Sequence, residues 1–313
     1  MHSVTAFAPA TVSNVGCGFD ALGFAIDGTG DEVTAHFGGH GVTIDGIAAD
    51  GGRLPRDPTR NTAGIAARAL LAAIGEERGV ALMLRKGLPL ASGLGGSAAS
   101  AAAAVVAVDA LLEARTPIDL LIACALEGER VGSGSAHADN VVPAICGGLI
   151  LVRDSHPLDF LHLPIPEGLT AVVVHPALEI ETTAARALLG DTIPLADGVR
   201  QWANLGALVD ALHRSDFDLM SRALVDAVAE PRRAGLVPGL DAIKRAAADA
   251  GALGAGLSGS GPSLFALCRN RQIGDRVAAA MTAAVSAHIP GVPQTYVSAV
   301  GAAGARVVAT CVS

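Results

Sequence analysis

Twelve residues, Pro89-Leu90-Ala91-Ser92-Gly93-Leu94-Gly95-Gly96-Ser97-Ala98-Ala99-Ser100, constrain this chain more than any others. Glycines at 93, 95 and 96 let the backbone take positive φ and come close to a ligand. Successive N–H groups in such a loop form a concave nest for an anion. The loop leads straight into Ser97–Leu112, a strong helical stretch. The unpaired N–H groups and positive end of a helix favour phosphate there. Ser92, Ser97 and Ser100 add hydroxyls at that end. The GxxxxGK[ST] phosphate loop is excluded because its lysine is missing, and GLGGSA lacks the GxGxxG spacing of a dinucleotide site. Such a loop either cradles phosphate or merely turns the chain ahead of an alanine-rich packing helix. Local sequence leaves both open.

A length of 313 residues suits two domains of moderate size. Hydrophobic residues make up 51% and aromatics only 3%, so alanine-rich helices packed closely on sheets are expected. The net charge of −8, with no basic run, argues against a nucleic-acid partner. Cys17, Cys124, Cys146, Cys268 and Cys311 are scattered without a CxxC pair. They read as free thiols of a reducing cytosol, so a cytoplasmic enzyme is expected. The start MHSVTAFAPATVSN lacks the basic and apolar regions of a signal peptide. The longest apolar run, Ala98–Val108, is broken by Ser100 and far short of the roughly 20 residues that span a bilayer, so no membrane partner is expected.

Alternation and β-branching predict strands at Val4–Ala8, Ala21–Ile26, Val42–Ile47, Val80–Leu84 and Gly147–Val152. Helical spacing covers Asn61–Ile74, and Thr116-Pro117 predicts a further helix start, with Thr as N-cap and Pro at the first helical position. The weakly periodic text RDSHPLDFLHLPIPEG, residues 153–168, marks a domain border. Beyond it, Leu169–His175 reads as a buried strand and helices are predicted near 199–213, 216–229 and 239–251. Ser263–Cys268, Ile273–Ala287 and Ala305–Cys311 read as strand, helix and strand. Mixed this way, the second half is α+β.

PLASGLGGSAAS resembles the phosphate loop of the GHMP kinases, whose pattern is Pro-x-x-x-Gly-Leu-Gly-Ser-Ser-Ala-Ala. Gly96 stands where the first of those serines usually sits, and Ser97 matches the second. Ala8–Asp20, APATVSNVGCGFD, resembles the family's N-terminal motif in the form of members acting on homoserine, and Gly256–Ser263, GLSGSGPS, resembles its third motif. The resemblance implies a two-domain α+β GHMP kinase fold. Residues 1–157 would form an N-terminal, ATP-binding domain like ribosomal protein S5 domain 2, and 158–313 a ferredoxin-like C-terminal domain. It implies ATP on Pro89–Ala99 and Asn61, with Mg²⁺ on Ser97 and on the glutamate eight residues before the His of His-x-Asp-Asn. That spacing selects Glu129 over Glu127.

His137-Ala138-Asp139-Asn140 is similar to the signature of the homoserine-specific members and is expected on a turn. The implied reaction is ATP-dependent phosphorylation of the L-homoserine hydroxyl. An amino-acid acceptor presents an ammonium, a carboxylate and a hydroxyl. Asp139 and Asp20 can pair with the ammonium, with His137 and Asn14 beside them, while Asn140 orients the hydroxyl. The carboxylate needs planar cations, for which Arg186 and Arg233 are the candidates. Thr182, Gly259 and Ser260 match further substrate positions. Members acting on homoserine often carry histidines and an acid near Gly198–Asn204, where this chain has Trp202 and no His. Another acceptor in the same fold (shikimate or an isoprenoid alcohol) and a non-catalytic sensor are the alternatives. A homodimer stays open.

Overall fold

A computed structural model describes residues 2–133 and 136–311 and builds two sheets with helices packed on them. The first half runs β1 (Ser3–Ser13), β2 (Leu22–His40), β3 (Val42–Ala48), α1 (Thr62–Ile74), β4 (Arg78–Arg85), α2 (Gly96–Leu112), α3 (Ile118–Ser133), α4 (Ala138–Cys146), β5 (Leu149–Ser155) and β6 (Leu158–Leu163). The second runs β7 (Thr170–His175), α5 (Thr182–Ala187), α6 (Leu195–Arg214), α7 (Phe217–Ala223), α8 (Glu230–Arg233), α9 (Leu240–Asp249), β8 (Gly254–Leu257), β9 (Leu264–Cys268), α10 (Arg271–His288), β10 (Gln294–Ala299) and β11 (Arg306–Cys311).

The seven-stranded first sheet has the order β11-β1-β2-β4-β3, with β5 and β6 extending from β2. Helix α2 lies against β1 and β2 and is flanked by α1, α3 and α4. Its residues Ala98–Val105, Ala107, Val108 and Leu111 are buried on nearly every side, apart from Ser100 all apolar and mostly alanine. A helix apolar all round must be buried, and methyl-sized side chains let it approach the sheet closely. That explains the composition.

The second sheet, order β10-β7-β9-β8, is antiparallel throughout. Its β-α-β-β-α-β order is ferredoxin-like. All six residues of β7 are buried. Ala171 and Val173 join the core shared with the first sheet, while Val172 and Val174 join a second core under α9 and α10. Side chains alternating across one strand therefore separate two cores.

Two expectations are corrected. Helix α3 begins at Ile118, one residue later than predicted, with the Pro117 carbonyl accepting its first bonds, and the buried Thr116 hydroxyl caps nothing. His137–Asn140 sits on the first turn of α4, not on an isolated turn. Asn61 is the N-cap of α1, its Oδ1 accepting from Ala63 and Gly64 N–H. Strands β6 and β11 lie beyond the 157/158 border, yet both hydrogen-bond into the first sheet. Among the described residues all five thiols are free, and no helix is long and apolar enough to cross a membrane.

Candidate active site

The glycine-rich loop enters a cavity of about 500 Å³ lined from both halves of the chain. Gly93 has φ +76°, and a Cβ there would lie 2.4 Å from the Ser258 carbonyl oxygen. At Gly95, φ +66°, it would lie 2.0 Å from Thr11 Oγ1. No side chain fits either place. The third motif grips this loop directly: Ser258 Oγ donates to the Gly93 carbonyl at 2.7 Å, and Ser263 N–H to that of Ser92 at 3.1 Å. Gly96 differs, because a Cβ there meets its neighbours at 3.6 Å or more, so the missing serine reflects no lack of room. Pro89–Gly93 and Gly95–Ser97 line the cavity. Leu94, Ala98 and Ala99 are fully buried in the core and do not line the cavity.

Glu127 and Glu129 lie two positions apart on α3, a step of about 200° around the helix. They therefore face opposite ways. Glu127 is ion-paired with Arg130 at 2.7 Å on the surface, whereas Glu129 is 3% exposed and lines the cavity with Ser97. His137 Nδ1 is 3.3 Å from Glu129 Oε1, a contact that orients the carboxylate. Among the described residues no group of three or more His, Cys, Asp or Glu is arranged so that it could hold a metal ion by itself. One carboxylate and one hydroxyl are hard oxygen donors, too few to cage a metal alone. They fit magnesium, which takes one or two protein oxygens plus phosphates and water.

Asn140 Oδ1 accepts a 2.8 Å hydrogen bond from Thr11 Oγ1, and its amide donates one long bond, 3.5 Å, to Asp139 Oδ1, which leaves a second N–H to offer a ligand. Thr11 lies 129 residues away on β1. Sequence reasoning passed over it as part of a motif. Asp139 is 2% exposed; burial, reinforced by the charge of Asp20, pushes its carboxyl up to about 7. For His137, burial works downward, but the Glu129 hydrogen bond and the Asp139 charge outweigh it and raise the imidazolium pKa. An unfolded chain releases the Asp139 proton near its ordinary value of 3.8, the native state near 7. Between them the native state holds more protons, so stability falls as pH rises. Asp139→Asn removes this titration. Its stability relative to wild type, read by urea unfolding without substrate, is expected to climb by about 2 kcal/mol from roughly pH 5 to 8. A flat difference would mean an ordinary carboxyl.

The remaining predicted substrate residues converge on the same cavity. Asn14, φ +69°, is a tie more than a contact: Oδ1 accepts from Asp20 N–H at 3.0 Å, and Nδ2 donates to the Gly259 carbonyl at 2.9 Å. Asp20 pairs with Arg186 at 2.6 Å across the two halves. Arg233 is 3% exposed and donates to the carbonyls of Ala185 and Gly259. Asp226 fixes its helix, accepting from the N–H groups of Val228, Ala229 and Glu230. Thr182 Oγ1 lies 3.5 Å from Ser260 Oγ. Asn61 also lines the cavity, though its amide is engaged in the α1 cap and with the Pro55 carbonyl. Trp202 is 61% exposed and lines no part of the cavity. In that segment the buried Gln201 does the anchoring, donating to the Cys17 carbonyl and to Asp226. Lys86, Arg53 and Arg60 line the cavity as well, without any sequence signal.

The model of the GHMP kinase N-terminal domain matches residues 61–148, and that of the GHMP kinase C-terminal domain residues 208–287. The chain is 46% identical to the homoserine kinase of Chlorobaculum tepidum over 323 residues, 99% of each chain. It is 48% identical to that of Chlorobium phaeobacteroides over 292 residues, 90% of this chain and 91% of that one. The crystal structure of homoserine kinase from Cytophaga hutchinsonii superposes with a TM-score of 0.94 at 45% identity, covering 98% and 97%. An L. major mevalonate kinase in complex with R-mevalonate shares the fold, with a TM-score of 0.71 at 20% identity. The chain belongs to the GHMP kinase family, on its homoserine kinase branch.

Proposed function

We propose that the protein transfers the γ-phosphoryl group of ATP to the side-chain hydroxyl of L-homoserine, giving O-phospho-L-homoserine for threonine synthesis. One observation carries this reading. A glycine-rich phosphate loop shares its cavity with charges of both signs, among them the acids Asp20 and Asp139 and the guanidiniums of Arg186 and Arg233. Opposite charges beside a phosphate nest suit a zwitterion, and neither shikimate nor an isoprenoid alcohol has an ammonium to meet the acids. A sensor has no need of a buried glutamate beside Ser97.

Phosphoryl transfer is mostly positioning and charge neutralisation. The loop and the start of α2 receive the phosphates, with Ser97 and Glu129 placed to hold a magnesium ion that neutralises phosphate charge when bound. Asp139 and Asp20 meet the ammonium, whose charge offsets the cost of ionising the buried Asp139. Arg186 and Arg233 take the carboxylate. Asn140, its oxygen tied to Thr11, donates from its amide and orients the hydroxyl without accepting a proton. In a loose, metaphosphate-like transition state the hydroxyl has lost little proton, so a strong base is not required.

A coupled ADP-release assay over homoserine, mevalonate, shikimate and galactose tests the assignment. Homoserine is expected to exceed the others in kcat/KM by about 10⁴-fold, the scale on which a site rejects an acceptor that leaves its buried polar groups unpaired. A higher value for any other acceptor would overturn the reading.

A further inference from the structure

We propose that Phe19 is a positioning residue for carboxylate recognition, its ring holding Arg186 and Arg233 together as one anion clamp. The inference rests on the homoserine reading above and adds the element that assembles its binding site. The guanidinium carbon of Arg186 lies 5.2 Å from the Phe19 ring centroid and that of Arg233 5.5 Å. Both fall within the roughly 6 Å reach of a cation–π contact.

Two guanidiniums on one ring repel each other, so something must hold them. Arg186 has the Asp20 carboxylate, but Arg233 donates only to the carbonyls of Ala185 and Gly259, and it forms no ion pair among the described residues. Phe19 is the contact they share. A stacked guanidinium uses its flat face against the ring and keeps its N–H edge free, and that edge is what a carboxylate binds in bidentate fashion.

The neighbouring aspartate gives the ring its moment of use. As the structure stands, Asp20 and Arg186 satisfy each other. An entering zwitterion brings an ammonium for Asp20 and a carboxylate for Arg186, so the pair separates onto the substrate. The ring then remains to keep Arg186 beside Arg233 while that exchange happens.

Phe19 is held firmly enough to serve. Asp20 N–H donates to Asn14 Oδ1 on one side of it, and Gln201 anchors the Cys17 carbonyl on the other. The ring is half-buried and lines a neighbouring pocket that shares Thr182 and Arg186 with the main cavity.

Phe19→Leu keeps the apolar bulk and removes the π face. In that variant KM for homoserine is expected to rise about 5- to 30-fold, the scale of losing one or two cation–π contacts. The values of kcat and of KM for ATP should stay within about twofold. The carboxylate-free acceptor 2-amino-1,4-butanediol should show no matching loss, and Phe19→Tyr should restore the homoserine KM. Stepwise fluorination of phenylalanine at position 19 keeps the shape and drains the negative ring face, so it reads the same effect without a folding penalty. KM should rise with each fluorine. An unchanged KM across that series, an equal loss with both acceptors, or a Tyr variant no better than Leu would overturn the proposal. Arg233→Ala separates the two levels. If it raises the homoserine KM and ring fluorination does not, only the role of Phe19 fails; if it leaves KM unchanged, the carboxylate site itself fails and the clamp with it.

Discussion

Glu129→Gln is expected to lower kcat by a hundredfold or more, about 3 kcal/mol of lost transition-state stabilisation. KM for homoserine should change little. The substitution keeps side-chain shape and the contact with His137 3.3 Å away, and it removes only the charge. The carboxylate is 3% exposed and lines the phosphate cavity, so in the proposed magnesium site it would act on the phosphate charge more than on acceptor binding. The loss should therefore appear in kcat, and more magnesium should be needed to reach half-maximal rate. Glu127 supplies the control: its carboxylate is spent on Arg130 at the surface, so Glu127→Gln should stay within about twofold of wild type, as exposed pairs contribute little. Near-normal turnover in Glu129→Gln, with Glu127→Gln inactive, would transfer the role to Glu127.

What could be read in the sequence was local. The glycine-rich turn, the helix behind it and the helical stretch from 61 to 74 all depend on residues within a few positions of one another, and both helices form where their patterns place them. The choice of Glu129 over Glu127 came from the family's spacing of eight residues before His137, and the structure adds that Glu129 is the buried one of the two. Contacts between distant segments gave no such signal. Thr11 and Asn140 meet across 129 residues, and nothing about a threonine in a strand announces an asparagine partner. Strand β11 pairs with β1 from the far end of the chain, so a border read from composition cannot see it. Helix α4 was missed because it contains Pro143, which argues against a helix locally. Its nine residues are held instead by packing on α2, β1 and β2. Phe19 looked like one more motif residue until the second half of the chain brought two arginines to its ring.

Lys86→Met is expected to destabilise the protein by about 3–5 kcal/mol, the cost of leaving a buried charge without its partner. Lys86 and Asp31 form an ion pair whose side chains are 4% and 1% exposed. Lysine has three donors, and all are used: on Asp31, on the Gly96 carbonyl at 2.8 Å and on Ser100 Oγ at 2.8 Å. Asp31 is equally engaged, accepting from Ser100 Oγ and from the N–H groups of Gly87 and Leu88. Gly87 and Leu88 lead into the phosphate loop, and Gly96 and Ser100 lie at the start of α2. The pair therefore clasps both ends of the loop at once, which no residue inside the loop can do. Removing the lysine leaves the Asp31 charge in the core and frees the Gly96 carbonyl. Two consequences should appear together: a lower urea midpoint and a weaker KM for ATP, with homoserine KM less affected. The double variant Lys86→Met with Asp31→Asn removes both charges and should recover part of the stability lost in Lys86→Met alone. It should not recover the ATP KM, because the clasp is still gone. A Lys86→Met protein within about 1 kcal/mol of wild type would show that the loop keeps its shape through its own glycines and its grip on Ser258, without help from the pair beneath it.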